Sequence, residues 1–163
     1  MDKKHLLVVD DDQNLLRSLA FIFRIANYRV TTAANGQEAL ERIFTTETNL
    51  PPIDLLITDI RMPGVTGLQL INELKRRDVK IPVVAITAYG TPQLATELRR
   101  KGCVDCLDKA LDEEALVKRI DMVLRRYGPN DLQDSKGTAD NAHTSSPVLN
   151  LPVRYTCLVD GKE

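Results

Sequence analysis

Short apolar runs alternate along this chain with longer segments in which apolar residues recur every three or four positions. The runs are typical of buried parallel strands, and the periodic segments are typical of helices with one apolar face. Strands are predicted at residues 5–9, 28–33, 53–58, 82–87 and 104–107. A periodic segment follows each strand, so the pattern predicts five successive strand–helix units.

Residues that favour the start or the end of a helix stand between these segments. Asp12 and Asp112 are predicted N-caps, and Gly102 is predicted to end a helix. Thr91 is also a predicted N-cap, because a proline follows it at the first helical position. Asn35 and the glycine after it predict a turn.

Strand–helix alternation predicts an α/β fold, because right-handed crossovers place helices on both faces of a parallel sheet. We expect a doubly wound five-stranded parallel sheet of flavodoxin-like order 2-1-3-4-5. In this order the direction in which successive strands are added to the sheet reverses between strands one and three. Ligands bind at that point.

Composition narrows the class of protein. The chain has 163 residues, of which 43% are hydrophobic and 28% are charged, and its formal net charge is −1. This charge disfavours binding to nucleic acid through a broad basic surface. No apolar run approaches the roughly 20 residues of a membrane span, and the N-terminal residues do not form a signal peptide. We therefore expect a cytoplasmic protein that binds neither membranes nor nucleic acid.

The sequence divides into three parts. Residues 4–127 carry the strand–helix units and form the predicted domain. Residues 128–147 are polar and are expected to be a flexible linker. Residues 148–163 are a short C-terminal tail with renewed apolar content, and two alternatives stay open for it: a strand added to a sheet edge, or disorder.

The cysteines do not indicate a secreted disulfide framework, because they are three in number. Cys103 and Cys106 have the spacing of a redox or metal motif. Such motifs usually lie at a helix N-terminus or in paired knuckles, whereas this pair opens a predicted strand. We interpret both as small buried residues.

Polar side chains follow four of the predicted strands. Asp10, Asp11 and Asp12 follow the first, Asp59 follows the third, Thr87 ends the fourth, and Lys109 follows the fifth. Because ligands bind outside the carboxyl ends of parallel strands, these groups are expected to converge. Singly they have ordinary explanations: Asp12 as a helix cap, the threonine as a strand-end hydroxyl, the lysine as a solvated charge.

Carboxylates that converge repel one another by roughly 4 kcal/mol per pair at about 4 Å. A bound cation offsets this cost, and few oxygen ligands in an open crevice suit Mg²⁺. Such a site suits phosphoryl transfer, in which a carboxylate is itself the nucleophile. Asp59 is the best candidate nucleophile, with Thr87 and Lys109 positioned to bind phosphoryl oxygens.

These residues resemble the receiver domains of two-component response regulators. The resemblance covers about residues 4–127 and rests on LVVDDD at 7–12, DLLITDIRMPG at 54–64 with Gly67, VVAITA at 83–88, and Lys109. The second motif is similar to receivers of the nitrogen-regulator type.

The resemblance implies a role for each matching residue. Asp59 would accept a phosphoryl group from a phosphohistidine. Asp11, Asp59 and the backbone carbonyl of Arg61 would bind Mg²⁺ directly, and Asp10 would do so through water. Thr87 and the Ala88 amide would hold the phosphoryl group, and Lys109 would pair with it.

Two residues depart from the family pattern. The family usually has proline after the lysine, often with a cis peptide bond, whereas Ala110 stands here. A cis bond before a residue other than proline costs about 2.5–4 kcal/mol, so we predict a trans bond and a shifted loop. In the family, an aromatic residue on the fifth strand moves together with the strand-four threonine when the domain switches. Cys106 stands at the position of that aromatic residue. The expected switch residues are Thr87, Tyr89 and Cys106. Because a cysteine has no ring to reorient, two alternatives stay open: weak switching, or switching carried by Tyr89.

The leading hypothesis is a stand-alone receiver that catalyses only its own phosphorylation and dephosphorylation. Its partners would be a sensor histidine kinase or a histidine phosphotransfer protein and a downstream protein, with a homodimer through the fourth-helix to fifth-helix face left open. The alternative is a pseudo-receiver, an interaction scaffold that is not efficiently phosphorylated. An aspartyl-phosphate phosphatase is disfavoured, because Arg61 stands where those enzymes carry a second aspartate.

Overall fold

The computed structural model describes residues 2–45 and 49–128. These residues form one five-stranded sheet in the order β2-β1-β3-β4-β5, and every neighbouring pair is parallel. The strands are β1 (His5–Val9), β2 (Arg29–Ala33), β3 (Leu55–Asp59), β4 (Val83–Thr87) and β5 (Cys103–Asp108). The helices are α1 (Gln13–Ile25), α2 (Gly36–Phe44), α3 (Gly67–Arg76), α4 (Pro92–Lys101) and α5 (Glu113–Tyr127). The fold class and the strand order expected from the sequence are confirmed.

The core lies on both faces of the sheet because successive strand residues point in opposite directions. Leu7 and Val9 pack in the cluster that includes residues of α2, α3 and α4. Leu6 and Val8 pack in the cluster that includes residues of α1 and α5. All residues of β1, β3 and β4 are buried, which explains their continuous apolar runs.

The helix ends follow the local chemistry of the sequence. The side chains of Asp12, Thr91 and Asp112 accept hydrogen bonds from the first-turn amides of α1, α4 and α5. Gly102 ends α4 in the left-handed conformation, with φ of 109°. Asn35, for which the sequence predicted only a turn, is the N-cap of α2, because its side chain accepts a hydrogen bond from the Glu38 amide.

The start of β5 contains an irregularity that the sequence pattern did not reveal. Its register with β4 shifts between Val83 and Val84, which pair with Cys103 and Asp105 respectively. The intervening residue is a bulge. Because of it, Cys103 and Cys106 both join the cluster beneath α4, although an i, i+3 pair on a regular strand would face opposite sides. Both cysteines are buried, as expected, and burial raises the pKa of the Cys103 thiol to about 12.

The bulge also turns a charged residue into the other face of the sheet. Asp105 is 2% exposed, and its Oδ2 accepts two hydrogen bonds from the guanidinium of Arg119 on α5, at 3.0 and 2.5 Å. Its Oδ1 accepts from the Cys106 amide at 2.9 Å. A buried carboxylate is tolerated here because both of its oxygens are hydrogen-bonded.

The strand limits differ from the predicted ones by one or two residues. β3 begins at Leu55 and β4 at Val83, later than the apolar runs alone indicate. The predicted linker after Gly128 and the tail at residues 148–163 lie outside the described residues. Among the helices of the described ranges, none is long and apolar enough to cross a membrane.

Candidate phosphoryl-acceptor site

Three carboxylates meet at the carboxyl ends of β1 and β3. Asp10 and Asp11 follow β1, and Asp59 is the last residue of β3. One carboxylate oxygen of each lies within 4.8 Å of the others. Asp10 and Asp59 are 0% and 5% exposed, whereas Asp11 is exposed. The convergence predicted from the strand ends is therefore what the structure shows for these three residues.

Lys109 enters the same site from the loop after β5. Its Nζ lies 2.7 Å from Asp10 Oδ2 and 3.1 Å from Asp59 Oδ2. The backbone fixes this placement, because the Lys109 amide donates to the Thr87 carbonyl at 3.0 Å. A single ammonium thus contacts the two buried carboxylates.

Ala110 takes the place of the family's proline without displacing the lysine from the carboxylates. The described residues contain no cis peptide bond, so the predicted trans bond before Ala110 is confirmed. The Ala110 amide donates to Asp108 Oδ1 at 2.7 Å. A proline has no such donor, so this hydrogen bond depends on a residue other than proline at position 110. The predicted displacement of the loop stays a prediction.

The Asp59 carboxylate is oriented by its own loop. Its Oδ1 accepts from the Ile60 amide at 2.7 Å and from the Arg61 amide at 3.3 Å, which leaves Oδ2 beside Lys109. The backbone of Asp59 is also closely approached by α3. A Cβ at Gly67 would lie 2.1 Å from the Asp59 carbonyl oxygen, so only glycine fits at this first position of α3.

The electrostatics of the site favour the binding of a cation. Burial raises the pKa of Asp10, although Lys109 and the Asp12 amide counteract this effect. Burial lowers the pKa of Lys109, but its contacts with Asp10 and Asp59 outweigh burial and raise it overall. Three carboxylates and one ammonium leave an excess of negative charge in a small volume, which a divalent ion would neutralise.

One oxygen in this cluster is buried with an ammonium as its partner. Asp10 Oδ2 is fully buried and lies 2.7 Å from Lys109 Nζ. Asp10 Oδ1, by contrast, accepts from the Asp12 amide at 2.8 Å. Oxygen donors from Asp10, Asp11 and Asp59 in an open crevice fit the preferences of Mg²⁺. Asp12 serves as the cap of α1 and lies outside this group.

The remaining predicted residues lie at the end of β4. Thr87 is 1% exposed, and its hydroxyl accepts from the Tyr89 amide at 3.3 Å. Ala88 and Tyr89 are exposed on the loop that follows. Cys106 is buried on β5 beneath α4.

One contact beside the site was not foreseen from the sequence. The guanidinium carbon of Arg61 lies 5.7 Å from the centre of the Tyr89 ring. The sequence places these residues on the loops after β3 and β4. It carries no signal for the side-chain directions that bring them together.

This chain is similar in sequence to known proteins. The family described as "Response regulator receiver domain" matches residues 6–121. The transcriptional regulatory protein GlrR of Escherichia coli (strain K12) is 35% identical over 125 residues, which are 77% of this chain and 27% of GlrR. The transcriptional regulatory protein FixJ of Bradyrhizobium diazoefficiens is 30% identical over 161 residues, which are 98% of this chain and 73% of FixJ.

The architecture also matches solved structures. A response regulator receiver domain protein from Clostridium thermocellum superposes with a TM-score of 0.66 at 30% identity, covering 76% of this chain and 95% of that one. This chain spans only about a quarter of the length of GlrR, so the similarity to that relative is confined to one part of it.

Proposed function

This chain belongs to the response regulator receiver domain family, and we propose that Asp59 is its phosphoryl acceptor. Receiver domains are signalling domains of two-component systems and not classical enzymes, and they bind Mg²⁺ at an acidic pocket. The proposal assigns each step of that chemistry to a residue of this chain.

The observation that carries the proposal is the environment of the Asp59 carboxylate. It is buried at a strand end, with two other carboxylates within 4.8 Å and the Lys109 ammonium at 3.1 Å. In the transfer, an Asp59 carboxylate oxygen attacks the phosphorus of a phosphohistidine. The phosphorus–nitrogen bond breaks as the new phosphorus–oxygen bond forms, and the imidazole leaves with the electron pair.

The metal ligands proposed are Asp10, Asp11, Asp59 and the backbone carbonyl of Arg61. Mg²⁺ held by these residues would supply positive charge that neutralises the phosphoryl oxygens during transfer. The proximity of a carboxylate oxygen of Asp10 to those of Asp11 and Asp59, within 4.8 Å, supports its place in this group.

The phosphoryl group is proposed to be held by Thr87, Ala88 and Lys109. The ammonium of Lys109 already contacts Asp59 Oδ2 and pairs with a phosphoryl oxygen attached there. The Thr87 hydroxyl now accepts from the Tyr89 amide, which leaves its own proton available for another phosphoryl oxygen.

The output is proposed to follow from movement of Thr87 and Tyr89. Because Cys106 has no ring to reorient, the exposed ring of Tyr89 is the aromatic group at this site that can change position. We propose that a sensor histidine kinase or a histidine phosphotransfer protein supplies the phosphoryl group. A downstream protein then reads the changed surface of α4, β5 and α5, which is also where a homodimer would form.

The proposal includes a cytoplasmic location and a stand-alone mode of action through protein contact without nucleic-acid binding. The relatives named above are transcriptional regulators, so DNA binding is the contrasting outcome. Co-sedimentation of the phosphorylated chain, measured once with protein extract and once with DNA, distinguishes protein contact from DNA binding.

The deciding experiment is phosphorylation by acetyl phosphate, followed by phosphate-affinity gel electrophoresis with and without Mg²⁺. We expect a Mg²⁺-dependent shifted band that is absent in Asp59→Asn. Asp12→Asn is the matched control, because it removes a neighbouring carboxylate from an exposed cap that asparagine fills equally well. A native chain that shows no shift with acetyl phosphate or with kinase would instead support the pseudo-receiver, which the replacements Ala110 and Cys106 favour.

A further inference from the structure

We propose that the C-terminal tail of this chain docks in an apolar groove at the edge of its own sheet where the strands begin. The docked part is residues 148–153. The groove, called the basal groove below, is lined by side chains from α2, from the loop before β3 and from the segment before β4. The inference goes beyond the proposed function, because the groove lies at the edge of the sheet opposite the acceptor and docking needs no phosphoryl group.

The basal groove is an apolar concavity that the core leaves open. Its volume is about 290 Å³, at the lower limit of the pockets that enclose small ligands. Two of its large apolar side chains, Phe44 and Leu50, are 37% and 49% exposed. The apolar wall consists of Ile43, Phe44, Leu50, Ile53, Val79 and Ile81. A groove of this size accepts a few side chains of an extended segment, and it is too small for the surface of a folded partner.

The basal groove is already shaped without an occupant. The two ring nitrogens of the buried His5 lie 2.8 Å from the Pro51 carbonyl oxygen and 2.8 Å from the Thr31 hydroxyl, which holds the loop before β3 against β2. The guanidinium carbon of Arg77 lies 4.4 Å from the centre of the Phe44 ring and restrains another part of the wall. Docking there therefore orders few residues of the fold, which lowers its entropic cost.

The chain leaves the fold at the same edge of the sheet. The last helix, α5, runs back from the end of β5 and ends at Tyr127. Burial and the carboxylate of Asp121 on α5 raise the pKa of Tyr28, the residue before β2, so the last turns of α5 lie beside the start of that strand. The basal groove includes His5, the first residue of β1. The segment that follows α5 thus starts at the edge where the groove lies.

The length of the predicted linker matches the distance to be spanned. Helices α2 and α5 pack on opposite faces of the sheet, so their ends are roughly 20–25 Å apart across the three layers. The 20 residues at 128–147 have an expected end-to-end distance of about 22–27 Å. Such a match gives the tail a local concentration of about 1 mM at the groove. A segment that binds with a dissociation constant of about 0.1 mM is then docked in about nine molecules of ten.

The tail has the side chains that suit an apolar groove. Leu149, Leu151 and Val153 occupy every second position, so an extended segment places these three aliphatic side chains on one side. Pro152 favours an extended backbone at the residue before it. This preference lowers the conformational entropy that the segment loses when it docks.

The charge of the linker suits the surface that it must cross. Each of the five described helices carries lysine or arginine in its last turn, and these helices end at the edge where the strands begin. The linker contains three aspartates and one lysine. Its net charge is therefore opposite in sign to that of the basic helix ends, which favours its passage along this edge.

The test uses the full chain with a nitroxide on Cys157, a few residues beyond the docked segment. Cys103 and Cys106 are buried, and burial raises the pKa of the Cys103 thiol to about 12, so a maleimide reagent modifies Cys157 selectively. The measurement is the intensity of each backbone amide NMR signal with the nitroxide oxidised and then reduced. We expect the oxidised label to lower the signals of Phe44 and Leu50 at least two-fold, and to leave those of α1 nearly unchanged.

Three variants of the labelled chain assign this effect to the docked segment and its groove. Leu151→Gln removes one aliphatic side chain from the segment and changes no residue of the described fold. It is expected to lower the ratio of docked to free tails about ten-fold or more and to restore most of the signal intensity. Leu50→Gln, in the wall of the groove, is expected to act in the same way. Ile25→Gln is the matched control, because Ile25 is an aliphatic residue 71% exposed on α1, and it is expected to leave the signal loss unchanged.

Other positions of the tail give different results, and each would overturn the proposal. Signal loss centred on Phe21 and Ile25, and reversed by Ile25→Gln, would place the tail on the exposed face of α1. Signal loss in an isotopically labelled chain mixed with a separate nitroxide-labelled chain would place the tail on another copy. Equal signal loss across the fold would mean that the tail has no preferred position. Asp59→Asn is expected to behave as the native chain does, so a failure of the proposed phosphorylation leaves this test unaffected.

Discussion

Replacing Asp10 by asparagine is expected to stabilise the fold when no divalent cation is present. One carboxylate oxygen of Asp10 lies within 4.8 Å of those of Asp11 and Asp59, so at an effective dielectric constant of about 20 each pair repels by at least about 3.5 kcal/mol. At 2.7 Å the Lys109 ammonium attracts Asp10 by about 6 kcal/mol, which leaves a net penalty of about 1 kcal/mol or more. Desolvation of this fully buried carboxylate adds to the penalty. Asparagine has nearly the same shape and keeps an oxygen for the Asp12 amide.

The assay is thermal unfolding followed by circular dichroism, first with a chelator and then with increasing Mg²⁺. In chelator, Asp10→Asn is expected to raise the free energy of unfolding by about 1 kcal/mol, which corresponds to about 4 °C in a domain of this size. Added Mg²⁺ is expected to stabilise the native chain through binding, and to stabilise the variant much less.

Asp12→Asn provides the comparison, because it removes the same charge from an exposed cap and is expected to change the stability by less than about 0.5 kcal/mol. The reasoning about charge crowding would be refuted by an Asp10→Asn variant that is less stable than the native chain in chelator. In that case the attraction to Lys109 would exceed the combined repulsion and desolvation.

Three further substitutions test other parts of the structure. Gly67→Ala is expected to lower the free energy of unfolding by about 2 kcal/mol or more and to slow phosphorylation, because the new methyl group would lie 2.1 Å from the carbonyl oxygen of Asp59. Thermal unfolding and the gel assay together check this. Native behaviour in both assays would contradict it. Arg119→Met is expected to lower the free energy of unfolding, measured by urea denaturation, by about 3 kcal/mol. The substitution leaves the carboxylate of Asp105 buried without its guanidinium partner. A loss below about 1 kcal/mol would be inconsistent with this. The backbone amide of Ala34, which follows β2, donates to Glu38 and lowers the pKa of the Glu38 carboxyl below 4.5. The carboxylate therefore stabilises the fold above pH 4.5, and this contribution is lost as the pH falls through the lowered pKa. Glu38→Ala is expected to cost about 1 kcal/mol at pH 7, and a cost that persists undiminished at pH 2 would argue against this role.

The sequence predicted those features that depend on neighbouring residues. Asp12, Thr91 and Gly102 act at helix ends through groups within a few positions of themselves, so their roles could be inferred directly. The convergence of Asp59 and Lys109 was also predictable, because parallel strands in the expected order bring their carboxyl ends to one edge.

Features that depend on register and side-chain torsions could not be predicted in this way. The bulge in β5 accompanies the pairing of Asp105 with Arg119, fourteen positions away in the chain, and alternation alone places Cys103 and Cys106 on opposite faces. The contact between Arg61 and Tyr89 depends on two rotamers in separate loops. The metal-binding and switch roles remain predictions for the experiments above.

The bulged start of β5 has a consequence for how this protein behaves at high concentration. In the sheet of the described residues β5 is an edge strand, and exposed edges are templates for strand-by-strand aggregation. A bulge and an inward-facing charge are two devices that make such an edge a poor template, and Asp105 with its neighbouring irregularity provides both. The side of the molecule that is expected to meet signalling partners is thereby kept from joining other sheets through its backbone. Recognition there depends on side chains, which can distinguish one partner from another.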